Sequence, residues 1–251
     1  MSRTAIFTSY FSKNKHPQLG DPHIEGVGAD GRVLQNDISY IWNWYSSVKE
    51  LGIDARIFCD NLSDEFIKEY STDKIQFVKV GSSPFSNNDW RFFCYRKYLD
   101  DTKWNEFDSV FLTDSSDVTV IQNPASLVDS NEGVDFFVCN DSIGLSDFPY
   151  MDLHEKAGWR DSLWLSMMLP QLELINMGVV GGKIKAMQKF LDRFCLARLA
   201  LGSYSFNADM WVGQYVFRIL LGDSKIMIGE PVTSKFKQYE NDRKDVFFRH
   251  K

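Results

Sequence analysis

The segment Ser109-Val110-Phe111-Leu112-Thr113-Asp114-Ser115-Ser116-Asp117-Val118 constrains the fold more than any other part of the chain. Its apolar run, Val110 to Leu112, is short and uninterrupted, and polar turn residues precede it. It therefore reads as a buried strand. The strand stops on two carboxylates, Asp114 and Asp117. In an open α/β sheet, ligands collect beyond the carboxyl ends of the strands. Two acids projected there form a hard-oxygen site suited to Mg2+ or Mn2+, and such a site commonly also holds a substrate phosphate.

The flanking sequence repeats the strand signal. Thr4 to Ser9, Asp54 to Cys59, Ile75 to Val80, Phe136 to Cys139 and Leu174 to Val180 read as further strands, the last closing on Gly181-Gly182. Helices are expected between them. One starts near Ile38 with Asp37 as N-cap, keeps Ile38, Ile41, Tyr45 and Val48 at helical spacing, and ends at Gly52. Others run from Ser63 to Tyr70, from about Asp89 to Leu99, from Lys183 to Leu201 and from Asn207 to Leu221. This alternation predicts an α/β fold in which helices flank a central, mostly parallel mixed sheet. A length of 251 residues suits a single domain over 1–251, with a nucleotide-binding half to about residue 120 and an acceptor half beyond it.

Bulk properties exclude several classes. The net charge of −6 argues against a nucleic-acid partner, which calls for a basic stripe. No apolar stretch is long enough for a membrane span, and the first residues lack a signal-peptide core, so a soluble cytoplasmic protein is expected. The four cysteines form no C-x-x-C pair and read as reduced core thiols. The 20 Phe, 10 Tyr and 7 Trp suit stacking on bases or sugars, although most are expected to fill the core.

Further positions are candidates by their place in this pattern. Thr8, Ser9 and Tyr10 end the first strand, where a ring and two hydroxyls can meet a nucleobase; Asp60 ends the second. Arg91 and Tyr95 share a helix face, and Arg91 is expected to offset diphosphate charge, to hold Asp114, or to form a solvated surface pair. Asn176 and Gly178 are expected at a strand end, with glycine permitting close approach of a sugar or tight packing. The helix starting at Lys183 offers free N–H groups as an anion site. Asp209 opens the last helix, where the helix dipole favours an acid in any case. Gly26-Val27-Gly28-Ala29-Asp30-Gly31 matches G-x-G-x-x-G but lies far past the first strand, so a mobile loop within Phe11–Asp37 is the better account. His16, His23 and His154 are expected to have no role.

Phe111 to Val118 resembles the D-x-D region of nucleotide-sugar glycosyltransferases with the GT-A fold, in a longer D-x-x-D form. Asn176-Met177-Gly178-Val179-Val180-Gly181-Gly182 is similar to the N-x-G-x-x-G-G segment beside their sugar site. Asn207-Ala208-Asp209-Met210 resembles their later acidic helix start, and Phe247-Phe248-Arg249-His250-Lys251 their closing metal-binding histidine. Chlorovirus capsid-glycan transferases and bacterial surface-polysaccharide transferases show this order of motifs.

The resemblance implies a single GT-A (Rossmann-like) domain that uses Mn2+ or Mg2+. Asp117 and His250 would bind the metal, and Asp114 would bind metal or ribose. Asp209 would hold the donor sugar or act as base. The donor would be a uridine diphosphate sugar, with guanosine diphosphate next, and the acceptor a glycan or glycoprotein. That acceptor is expected against the loop Phe11–Asp37 and the region Pro149–Leu169, which holds Tyr150, Trp159 and Trp164. The ending at Lys251 suggests one domain of a longer product. Two rival readings are a sugar-1-phosphate nucleotidyltransferase and a non-catalytic carbohydrate-binding domain. The first wants a glycine-rich loop after the first strand, where Tyr10-Phe11-Ser12-Lys13-Asn14-Lys15 has no glycine.

Overall fold

Strand β1 (Thr4–Tyr10) sends alternate side chains into two apolar layers, as a strand covered on both faces must. Ala5 and Phe7 enter one layer, and Ile6 and Tyr10 the other. The computed structural model describes residues 2–13, 35–144, 173–202 and 207–251.

The same alternation recurs through β2 (Asp54–Cys59), β4 (Ser109–Thr113) and β6 (Phe136–Gly144). In β4, Val110 and Leu112 face one layer and Phe111 the other. With β3 (Ile75–Lys79), β7 (Glu173–Lys183) and β8 (Ile226–Ile228), these strands form a seven-stranded sheet in the order β3-β2-β1-β4-β7-β6-β8. All pairings are parallel except the two made by β7, with β4 and with β6. The expected α/β architecture with a mostly parallel mixed sheet is therefore present.

Helices α1 (Trp42–Glu50), α2 (Asp64–Tyr70) and α4 (Pro124–Ser130) cover the face that receives Phe111. Helices α3 (Asn87–Tyr98), α5 (Ile184–Ala200) and α6 (Asp209–Tyr215) cover the other. Side-chain caps set the starts of three of these, and in α4 Asn123 accepts the Ala125 N–H. Ser63 and Ser86 each accept an N–H from the first turn of α2 and α3. Asp37 does the same for the 3₁₀ turn Ile38–Ile41 that leads into α1. Two segments continue as π-turns, Leu99–Lys103 after α3 and Val216–Leu220 after α6.

Two expectations change. Gly181 and Gly182 do not close β7 but lie inside it. A side chain at Gly181 would fall within the Phe111 ring of the neighbouring strand, so the glycine makes room for that ring. Because β7 is reversed, its Lys183 end pairs with Ser109, at the amino end of β4. The start of α5 thus sits at the edge of the sheet opposite Asp114, and the Ile184 N–H already donates to the Asp108 carbonyl at 3.0 Å. The anion site expected there is not part of the acidic centre.

A second, two-stranded sheet pairs β5 (Val118–Val120) antiparallel with β9 (Phe248–His250). Val118, Val120 and Phe248 pack into the layer of α1 and Phe111. Among the described residues, no helix is long and apolar enough to cross a membrane.

Candidate metal centre

Asp114 follows β4, and its N–H donates to the Gly178 carbonyl of β7 at 2.8 Å. Ser115 ties the acidic turn to β1 through a hydrogen bond from its Oγ to the Ser9 carbonyl, 2.9 Å. Asp117 then leads directly into β5. The register of the small sheet puts Val118 opposite His250, and the Lys251 N–H donates to the Asp117 carbonyl at 2.9 Å. Backbone pairing thus delivers the histidine to the acids from the far end of the chain. His250 Nε2 lies 3.6 Å from Asp117 Oδ2 and 4.0 Å from Asp114 Oδ2. One ligand atom from each of the three residues falls within 4.8 Å of the others.

His250 is 1% exposed. Its ring packs on Phe236 at 4.3 Å between centroids, its Nδ1 is 3.2 Å from Cys139 Sγ, and its backbone N–H donates to Ser234 Oγ. Nε2 and Asp117 Oδ1 are buried without a hydrogen-bond partner. Orphaned buried polar atoms are costly, so each of the two calls for a partner. Burial alone would lower the His250 pKa, but the Cys139 sulfur and the Asp117 carboxylate outweigh it and raise it to about 10. The space between these atoms therefore favours positive charge. Two carboxylates and an imidazole are a suitable donor set for a divalent ion. Ligands about 2.1 Å from one ion and at right angles stand about 3 Å apart, so a small contraction of the observed spacing admits an ion.

Gly178 is where β7 meets the His250 ring. A Cβ there would collide with Cε1 and stand 2.7 Å from Nε2 and 2.9 Å from Asn176 Oδ1. The close approach expected at this glycine is thus made by the protein's own imidazole. Gly178→Ala is expected to expel His250 from the acids at a stability cost of about 1–3 kcal/mol. Mn2+ titration and thermal unfolding check it; wild-type Mn2+ affinity in the variant would refute the packing account.

Arg91, on α3, is 4% exposed and ties two acids together. Nη1 pairs with Asp114 Oδ1, and Nη2 with Asp209 Oδ2 at 3.1 Å and the Met177 carbonyl at 3.2 Å. Nε donates to the Asn88 carbonyl at 3.1 Å. Of the roles expected for Arg91, holding Asp114 is the one seen, and the solvated surface pair is not. Asp209 is 3% exposed, and its Oδ1 is buried without a partner.

Behind Arg91 lies a second ion pair, Asp89 with Arg198 Nε at 2.9 Å, both side chains fully buried. Asp89 also accepts the Ser86 hydroxyl at 3.0 Å and the Ala208 N–H, which anchors the start of α6 and so the position of Asp209. Burial foremost, and then the Asp209 charge, push Asp89 up to about 6 despite Arg198.

The nucleobase positions fare differently. Thr8 is fully buried and donates to the Thr113 carbonyl at 2.8 Å. The Tyr10 ring is 1% exposed, stacks on Tyr40, and its hydroxyl donates to the Asp37 carbonyl at 2.6 Å. Both are core residues because β1 is central and covered on both faces, which corrects their expected contact with a base. Ser9 remains partly exposed, beside the acidic turn. The Asp60 carboxylate accepts the N–H groups of Ser12 at 2.8 Å and Lys13 at 3.2 Å, so it secures the chain after β1.

Asn176 is inside β7 rather than at its end; its Oδ1 accepts the Gly178 N–H at 2.7 Å and its Nδ2 donates to Asp141 at 2.9 Å. Gly26 to Gly31 of the expected loop, the residues Tyr150, Trp159 and Trp164, and His16, His23 and His154 lie outside the described residues.

Sequence reasoning missed Cys139, Asp141, Asp89 and Arg198. Asp141 carried a usable signal, an acid just after the apolar run Phe136 to Cys139, the pattern that flagged Asp114. Asp89 and Arg198 carried none, since single charges on helices are ordinarily solvated. No protein-family model matches the chain, and no curated protein matches it.

Proposed function

We propose that the chain is a metal-dependent glycosyltransferase that moves a sugar from a nucleoside-diphosphate donor to a glycan or glycoprotein acceptor. One observation supports this above all: two carboxylates beyond the carboxyl end of a central strand converge on a buried imidazole whose Nε2 has no partner. Asp114, Asp117 and His250 would hold Mn2+ or Mg2+. When bound, such an ion supplies Lewis-acid stabilisation to a departing nucleoside diphosphate.

The chain's own groups orient the reactants. Arg91 has its donors committed to Asp114, Asp209, Met177 and Asn88, so its task is to aim the two acids. Asp209 is paired with that guanidinium through Oδ2. Its unpartnered Oδ1 is suited to accept a hydroxyl of the donor sugar. Asn176 and Asp141 line the same end of β7 and β6. With the Tyr10 ring in the core and Asp60 holding backbone, the proposal extends to the diphosphate-sugar class and not to its base.

Calorimetry tests this directly. The wild-type chain should bind uridine or guanosine diphosphate in the presence of Mn2+ and only weakly without it. Asp117→Ala should weaken Mn2+ binding about tenfold or more. Mn2+ binding unaltered by this substitution would remove the site. Pyrophosphate release from a nucleoside triphosphate and a sugar phosphate would point instead to nucleotidyl transfer.

A further inference from the structure

We propose that Cys139 is a positioning residue for the metal centre: its sulfur accepts the Nδ1 proton of His250 and so leaves Nε2 with its lone pair facing the acids. The inference rests on the metal reading above and extends it to a residue outside the ligand set.

Cys139 Sγ is 3.2 Å from Nδ1 and 3.1 Å from the Asn140 carbonyl oxygen, and the residue is fully buried. A carbonyl only accepts, so the thiol's single proton serves Asn140. The sulfur lone pairs are then left for an N–H on Nδ1. With a cation at Nε2 in place of the second ring proton, the imidazole is then neutral and its remaining proton sits on Nδ1. The opposite arrangement, S–H to Nδ1, would place the ring proton on Nε2, pointing at Asp117 and Asp114 where a cation would sit. Which ring nitrogen binds metal is set by the hydrogen bond of the other, and such outer partners contribute strongly to affinity.

The backbone supports this role. The β6–β7 register shifts between Val138 and Cys139, and an irregularity of this kind re-aims the side chain that follows it. The other cysteines differ: burial foremost pushes the Cys59 and Cys94 thiols up to about 12, and no ring nitrogen is paired with either sulfur among the described residues.

The test uses the full chain and Mn2+ alone, with free Mn2+ followed by electron paramagnetic resonance. Cys139→Ala should weaken Mn2+ binding about 10–100-fold. Cys139→Ser should recover most of it, because a hydroxyl can donate to Asn140 and accept from Nδ1. In the Mg2+-saturated wild type, nitrogen–proton correlation spectra of His250 should show the proton on Nδ1; this readout does not depend on a variant folding. A proton on Nε2 removes His250 from the ligand set and overturns the inference with it; wild-type Mn2+ affinity in a folded Cys139→Ala chain overturns the inference alone. A wild type that binds no Mn2+ overturns the metal reading and this inference with it.

Discussion

Arg198→Ala is expected to cost about 3–5 kcal/mol of stability, the usual result of removing one partner from a buried ion pair. Against a total of about 5–15 kcal/mol for a folded domain, this is a large share. The Asp89 carboxylate would be left fully buried with, among the described residues, the Ser86 hydroxyl and the Ala208 N–H as partners and the Asp209 charge nearby. The loss should depend on pH. Asp89 is raised from 3.8 to about 6 in the fold, so the folded state holds the proton more tightly than the unfolded chain. Stability contributed by the protonated form falls as pH rises through that window. Without Arg198 the penalty should therefore be greatest above pH 6 and smaller near pH 5, where Asp89 is protonated. Denaturant unfolding at the two pH values checks this. A flat cost, or one below about 1 kcal/mol, would show that the pair does not carry the junction between α3 and α5.

Arg91→Ala should damage both stability and the proposed reaction. Asp209 would lose the cation paired with its buried carboxylate, again at about 3–5 kcal/mol. Asp114 would lose the group that holds Oδ1 and leaves Oδ2 turned towards His250. Displacements of about 1 Å in positioned groups cost about 100-fold in rate, so turnover of a nucleoside-diphosphate sugar should fall by about that factor. Arg91→Lys should restore part of the stability but little of the turnover. A lysine supplies a point charge, whereas the guanidinium spreads its donors over two carboxylates and two carbonyls. Equal turnover for Arg91→Ala and the wild type would mean that Asp114 and Asp209 need no such clamp.

Much of the fold is legible from local pattern. The strands at Thr4, Asp54, Ile75 and Ser109, and the cap at Asp37, depend on residues a few positions apart. Periodicity over such windows encodes which face is buried, and hydroxyl or carboxylate caps satisfy N–H groups within the same turn. The short elements were not legible. β5, β8 and β9 have three residues each, too few for a period to emerge.

The acid pair at Asp114 and Asp117, and the class of fold around it, were determined by the sequence alone, because a buried strand and the turn that ends it are contiguous. What only the tertiary structure decided is who meets those acids. The reversal of β7 brings Gly178 to Asp114 and carries Lys183 away. The pairing of β5 with β9 brings His250 to Asp117, and the packing of α3 selects Arg91 from among several helix cations as the clamp. These contacts join residues far apart in the chain, through strand direction and register, and a lone histidine or arginine carries no local mark of its partner.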